Sequence, residues 1–199
     1  MENQNIQSVT QNVTKKGNTL IPLLIMIISS LIMLAAFFLP YASATKDYKA
    51  SLERYSDEPF IEKIGINNDD VIHISLVEYA RIYGYTASEG DSGVAEVSIV
   101  CLVVIAVCGV FTIMTLLFSI LRKTIPVIVF DILAFCSFCL LAWDYSSRGV
   151  MPGRNYNCGI SYYIFYICTV LILAGAIWRL VAMKKAAKQQ TITVSSNIG

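Results

Sequence analysis

Asp131 is the only ionisable residue deep inside any apolar stretch of this 199-residue chain. A carboxyl group at such a depth in hydrocarbon is costly, turns toward a helix-bundle interior, and marks a functional position by default. The chemistry open to it is a structural bond, the docking of a partner, or the relay of a proton or ion. On the preceding apolar stretch, Ser98, Cys101, Ile105, Cys108, Thr112, Thr115 and Ser119 recur at alternating spacings of three and four. That spacing places them on one helical seam, where small residues let helices approach and hydroxyls bond across them. Reflecting the two stretches about the turn between them sets Asp131 level with Thr115 or Leu116, about 8 Å beyond Pro126. Asp131 is therefore expected to face the seam. It would be either protonated and bonded to Thr112 or Thr115, or ionised and paired with Arg122 or Lys123, whose long stems reach back toward it. With Ser119, these residues form the intramembrane polar set.

Other reactive residue types are present without a constellation around them. His73 is the only histidine; amid apolar neighbours it reads as a packed residue, because a zinc site needs three or four ligands that cannot be assembled here. Asn67-Asn68-Asp69-Asp70 offers oxygen atoms but lacks the spacing and closing Glu of a calcium loop, and so reads as a solvated turn. Five of the six cysteines lie in apolar stretches, and only Cys158 lies outside them. Cys136-Ser-Phe-Cys139 has the C-x-x-C spelling of a redox pair, yet it sits toward the C-terminal end of its helix, where the dipole opposes a thiolate. No paired carboxylates, no nucleophile with a base, no metal site and no cofactor motif emerge, so the expectation is a protein that is not an enzyme.

The elements that position these residues are four apolar spans. A mean hydropathy of +0.62, with 56% apolar and 15% charged residues, is too apolar for a soluble domain. Crossing about 30 Å of hydrocarbon takes roughly 20 helical residues. Residues 20–40, 98–121, 127–143 and 160–183 meet or approach that length. The fold class is an all-α membrane protein: a four-transmembrane-helix bundle with an extracytoplasmic α+β loop of about 55 residues between helices 1 and 2. Pro22 is placed in the first turn of helix 1, where its missing N–H does no harm. Ala42-Ser43-Ala44 resembles a signal-peptidase site, but the apolar run is longer than a signal core and reads as a retained anchor.

Orientation follows from the basic residues. The turn at 122–126 holds Arg122 and Lys123, which short cytosolic loops retain. Lys15, Lys16, Arg179, Lys184, Lys185 and Lys188 fall on the same side. The localisation expected is a cell membrane, multi-pass, with the polar tails 1–19 and 184–199 cytoplasmic and unstructured. Segments 41–97 and 144–159 then lie outside. The first of these carries eleven acidic against five basic residues, so the overall charge of +1 says nothing of nucleic acid.

Within 41–97, Val71-Ile72-His73-Ile74 reads as a short strand. Ser75-Leu76-Val77-Glu78 is a capping box, and Leu76, Tyr79, Ala80 and Tyr83 follow on one face of a helix expected to end near Gly84. Leu76, Tyr79 and Tyr83 form the candidate partner-binding face. Residues 86–93 read as a mobile loop. Trp143, Tyr145, Tyr156, Tyr162, Tyr163 and Tyr166 form an aromatic belt at the outer boundary, and Ala174-Gly175-Ala176 a close-contact patch.

In layout, with a large first outer loop, a basic turn after the second helix and a short second outer loop, the chain resembles the claudin-type tetraspan arrangement. It lacks the claudin signature of a Trp and two Cys in the first loop, and the Cys-Cys-Gly of tetraspanins. Phe38-Leu39-Pro40-Tyr41 and Gly149-Val150-Met151-Pro152-Gly153 are similar to segments of small uncharacterised four-span membrane proteins of bacteria. That resemblance covers residues 20–183 and implies no activity. The function expected is an accessory or scaffold subunit that presents its extracytoplasmic segment to another membrane or extracytoplasmic protein, or to itself. The alternative is an oligomeric small transporter or channel using Asp131 and the seam.

Overall fold

The computed structural model describes the backbone of residues 2–196 and the side chains of residues 19–185. The segments expected as unstructured tails, 1–19 and 184–199, have a helical backbone where it is described, because α1 starts at Glu2 and α6 runs to Ser196. The chain is mostly helical, and four of its helices are long and apolar enough to cross a membrane, over Thr19–Phe38, Ser92–Ile120, Thr124–Ser147 and Ile160–Lys185. They belong to α1 (Glu2–Ala35), α4 (Ser92–Ile120), α5 (Thr124–Ser147) and α6 (Ile160–Ser196). Between them stand β1 (Pro40–Ala44), α2 (Lys46–Arg54), β2 (Pro59–Ile61), β3 (Ile66–Asn67), β4 (His73–Ser75), α3 (Leu76–Glu89) and β5 (Tyr156–Cys158).

Each long helix ends for a local reason. Pro22 lies inside α1 rather than in its first turn. After Ala35 the chain tightens into a 3-10 turn, and Leu39 becomes extended (φ −89°, ψ 158°), as a residue before proline prefers. This hands the chain directly to β1. Helix α4 closes with Arg122 in the left-handed region (φ 58°), its N–H bonding the Ser119 carbonyl while the Lys123 N–H bonds that of Phe118. This pair of bonds satisfies carbonyls that the helix end would leave free. The link between α4 and α5 is therefore only Leu121–Lys123, shorter than the expected 122–126, because Thr124, Ile125 and Pro126 already form the first turn of α5, where proline is tolerated.

The expected mobile loop at 86–93 is a helix-to-helix corner. Helix α3 does not stop at Gly84 but runs to Glu89, and α4 begins at Ser92, six residues before the expected 98. The Thr86 hydroxyl stands 2.8 Å from Ser98 Oγ and clasps the two helices together.

The segments outside the helices meet in a three-stranded antiparallel sheet with order β4-β1-β5. Ala42 lies opposite both Ile74 and Cys158, and Ser43 opposite His73 and Asn157. The sheet therefore unites the first inter-helix segment with the second. Thr45 adds to the union: its N–H bonds the Asn155 carbonyl at 2.8 Å and its hydroxyl that of Arg154 at 3.2 Å. Strands β2 and β3 form a separate hairpin. Ala42-Ser43-Ala44, which resembles a cleavage site, is the central strand of the sheet.

Two glycines admit close contacts. A Cβ on Gly175 would lie 3.0 Å from Met26 Cγ and 3.1 Å from the Pro22 carbonyl oxygen, so its absence lets α6 approach α1. Gly159 presses on the backbone of Pro40 and Tyr41, leaving no room for a side chain where β5 passes into α6.

Candidate functional site: the polar seam and the aromatic floor of the cap

The buried residues of α4 are Ser98, Cys101, Ile105, Cys108, Thr112, Thr115 and Ser119, the seven residues of the seam. Facing them, α5 buries Thr124, Val127, Asp131, Ala134, Phe138, Leu141 and Tyr145. Asp131 has no exposed surface, so it does face the bundle interior. Its expected partners, however, are not bonded to it: neither carboxyl oxygen has a hydrogen-bond partner. The hydroxyls of Thr112, Thr115 and Ser119 each donate to the carbonyl four residues back on their own helix, at 2.8 to 2.9 Å. A hydroxyl that has spent its proton in this way offers lone pairs, not a donor. The seam hydroxyls therefore offer Asp131 no free proton.

Arg122 and Lys123 also fail to pair with it. Both are exposed at the turn, because the left-handed turn at Arg122 carries its side chain off the buried stripe. From α1, Ser30 reaches the seam: its hydroxyl donates to Met26 O at 2.7 Å and lies 3.5 Å from Ser119 Oγ. From α6, Thr169 is buried beside Met33. Ser30, Thr169 and the buried Arg179 enlarge the polar set beyond its sequence-derived members. The sequence signal for them was weak, since each is a lone polar residue with no polar neighbour at helical spacing.

The upper end of the bundle closes on Tyr41, fully buried at the head of β1. Its ring centroid lies 5.7 Å from Phe138, 5.9 Å from Tyr145, 6.1 Å from Tyr162 and 6.3 Å from Tyr79. Below it Phe138 and Phe165 stack at 4.1 Å, 2° from parallel. Burial raises the Tyr41 and Tyr79 hydroxyls well above the ordinary tyrosine range, and neighbouring tyrosines add to it.

This aromatic floor corrects two expectations. Leu76 and Tyr79 are buried and Tyr83 half-buried, with Tyr79 and Tyr83 packed on Tyr145. The candidate partner-binding face is thus covered from within, by aromatic residues of β1 and α5 that are distant in sequence. The belt likewise divides: Trp143 and Tyr163 point outward, whereas Tyr145 is fully buried and Tyr162 packs on Tyr41 and Phe138.

The capping box forms as its motif predicts. Glu78 N–H bonds Ser75 Oγ at 3.2 Å, and Ser75 N–H bonds Glu78 Oε2 at 2.6 Å. His73 is not packed but exposed on edge strand β4, its Nδ1 3.1 Å from Ser43 Oγ. In the 67–70 turn, Asp70 accepts the Asn67 N–H at 2.9 Å, closing the turn on itself. No group of three or more His, Cys, Asp or Glu able to hold a metal occurs among the described residues. All six cysteines are free within the chain. Cys101 stands beside the Asp144–Arg148 ion pair, 3.1 Å from Arg148 Nη2.

Comparison of the chain with protein-family models, with curated proteins and with solved structures finds no match in any of the three. Any functional reading therefore rests on the residues themselves.

Proposed function

We propose that the protein is a non-enzymatic integral membrane subunit whose cap presents a recognition surface to another protein on the extracytoplasmic side. The observation that carries this reading is the contrast within the cap. Ile66, Val71, Ile72, Ile74, Leu76 and Tyr79 are buried, while Tyr55 (51% exposed) at the end of α2 and Phe60 (44% exposed) in β2 stand out on either side of Asp57 and Glu58. Aromatic residues offer large contact area at low entropic cost and are enriched at interfaces. The recognition surface is therefore the 55–60 loop, not the Leu76, Tyr79 and Tyr83 face. The sheet joins both inter-helix segments, in keeping with a scaffold. The turn at Arg122 and Lys123 then faces the cytoplasm, by the rule that basic short loops are retained there.

Affinity purification of the full chain in mild detergent, followed by mass spectrometry, tests this reading. An unrelated protein at stoichiometric amount that is lost from the Tyr55→Ser/Phe60→Ser double variant is the expected result. The opposing reading, an oligomeric transporter or channel, draws on the unpartnered Asp131 in a hydroxyl-lined seam. A pure homo-oligomer with flux abolished by Asp131→Asn in vesicles would replace the first reading with the second.

A further inference from the structure

The buried stripe of α6 descends through Cys168, Ile172 and Ala176 to Arg179, which is only 8% exposed. Its Nε and Nη1 atoms have no hydrogen-bond partner. A buried guanidinium with free donors is costly unless something accepts from it. Among the described residues no group accepts from these two atoms. Arg179 forms no ion pair among the described residues, and the nearest charge that acts on it is another cation, Arg122. Asp131 is seven residues into α5, about 10 Å along the helix axis, and is bonded to nothing.

A second set of free donors opens onto the same end. Thr124 begins the buried stripe of α5; it is 5% exposed, and its hydroxyl has no partner. Lys123 precedes it without supplying a side-chain cap, so the Thr124 and Ile125 amides stand uncapped at the positive end of the dipole of a 24-residue helix, Pro126 having no N–H. A guanidinium, a hydroxyl and the helix N-terminus that carries that hydroxyl thus lie at one end of the bundle, where no described carboxylate balances them. Such an arrangement is complementary to an oxyanion with several acceptor atoms.

The flank of the site narrows the oxyanion to one class. Ile120, Leu121 and Ile125 are each more than half exposed beside it, as acyl-chain contacts at a bilayer surface would be. We propose that the turn end of the bundle, built from Thr124, Arg179 and Arg122, is a binding site for the headgroup phosphate of an anionic phospholipid in the adjoining leaflet. Basic pockets between helices at a membrane surface recognise such headgroups. In this site Arg179 and Thr124 grip the phosphate, Arg122 closes over it from the turn, and the acyl chains lie along the exposed isoleucines and leucine.

Native mass spectrometry of the full-length protein, released from detergent in the presence of phosphatidylglycerol or phosphatidylcholine, reads the site directly. The protein is expected to retain phosphatidylglycerol in preference to phosphatidylcholine. Arg179→Gln and Thr124→Val should each weaken retention about tenfold, while Lys185→Gln, which removes an exposed charge of the same side, leaves it nearly unchanged. Should Arg179→Gln fail to fold, Thr124→Val carries the same comparison. Equal loss in the Lys185→Gln variant, or equal retention of the two lipids, overturns the proposal by reducing it to diffuse charge attraction. Displacement of the lipid by inorganic phosphate at a comparable concentration assigns the donors to a soluble oxyanion and overturns the lipid assignment.

Discussion

The Tyr156 hydroxyl donates to the Val71 carbonyl at 2.9 Å, joining residues 85 positions apart in the chain. The same ring meets Tyr48 edge-on at 5.4 Å, and its backbone pairs opposite Ala44. One side chain therefore fastens the second inter-helix segment to two parts of the first. Tyr156→Phe keeps the ring contact and removes only the bond. It should lower stability by about 1 kcal/mol, read as a fall in the thermal midpoint of the purified protein, with Tyr156→Ala costing more.

Asp131 yields a prediction of the opposite sign. A buried polar group without a partner costs roughly 1–3 kcal/mol, and its replacement by an apolar side chain of similar size is neutral or stabilising. Asp131→Leu is therefore expected to raise the unfolding midpoint, and Asp131→Asn to leave it near that of the parent. A marked fall in both variants would reveal a bonded partner and refute the unpartnered reading of Asp131.

Burial of Tyr41 and Tyr79 sets an alkaline limit. Both hydroxyls hold their protons above the ordinary value of 10.0. Above that pH the unfolded chain releases protons that the folded chain still binds, so stability falls as pH rises, whereas below it neither state differs. The midpoint is expected to be level in this respect up to about pH 10 and to decline above it. Tyrosinate absorbance should appear together with loss of tertiary structure, and Tyr41→Phe should lessen the slope.

Arg122 occupies a left-handed conformation (φ 58°) that costs a residue with a Cβ roughly 1–2 kcal/mol and glycine almost nothing. Arg122→Gly should therefore resist thermal unfolding better than the parent while retaining anionic lipid less well. Stability and retention falling together would show that the arginine side chain, not the backbone, holds the turn.

Orientation is open to chemical labelling. A cysteine introduced at Asp57, set in a background without the exposed native thiols, is expected to react with a membrane-impermeant maleimide in intact cells, and one at Thr124 only after permeabilisation. The reverse pattern would overturn the sidedness inferred from the basic turn.

The parts of this molecule that were legible in its sequence are those governed by near neighbours. The three-four spacing of Ser98 to Ser119 depends on a single helix, and the Ser75–Glu78 box spans four residues; both appear as read, and the four apolar spans are helices, although α4 and α5 begin earlier than their apolar runs. What escaped depends on distant partners. The strand read at Val71 to Ile74 forms two residues later, as β4, but β1 and β5 are five and three residues long, too short to show a period, and β1 is specified by neighbours some 30 and 115 positions away. The apolar face of α3 was visible, but its cover, Tyr41 and Tyr145, could not be found by spacing. For Asp131, reflecting the hairpin gave its height, yet not that Thr112, Thr115 and Ser119 would each bond their own helix. Arg179 looked like one more basic residue before Lys184 and Lys185. Only the packed α6 stripe shows that it is buried.

The central position of β1 has a consequence for how the molecule is made. Its residues leave the ribosome early, immediately after the first span, while one of their two pairing partners, Tyr156 to Cys158, emerges only as the last span is about to follow. Until then the strand must wait with one edge bare. A nascent chain that stalls before the fourth helix thus displays an unsatisfied strand edge, a ready template for pairing with another chain.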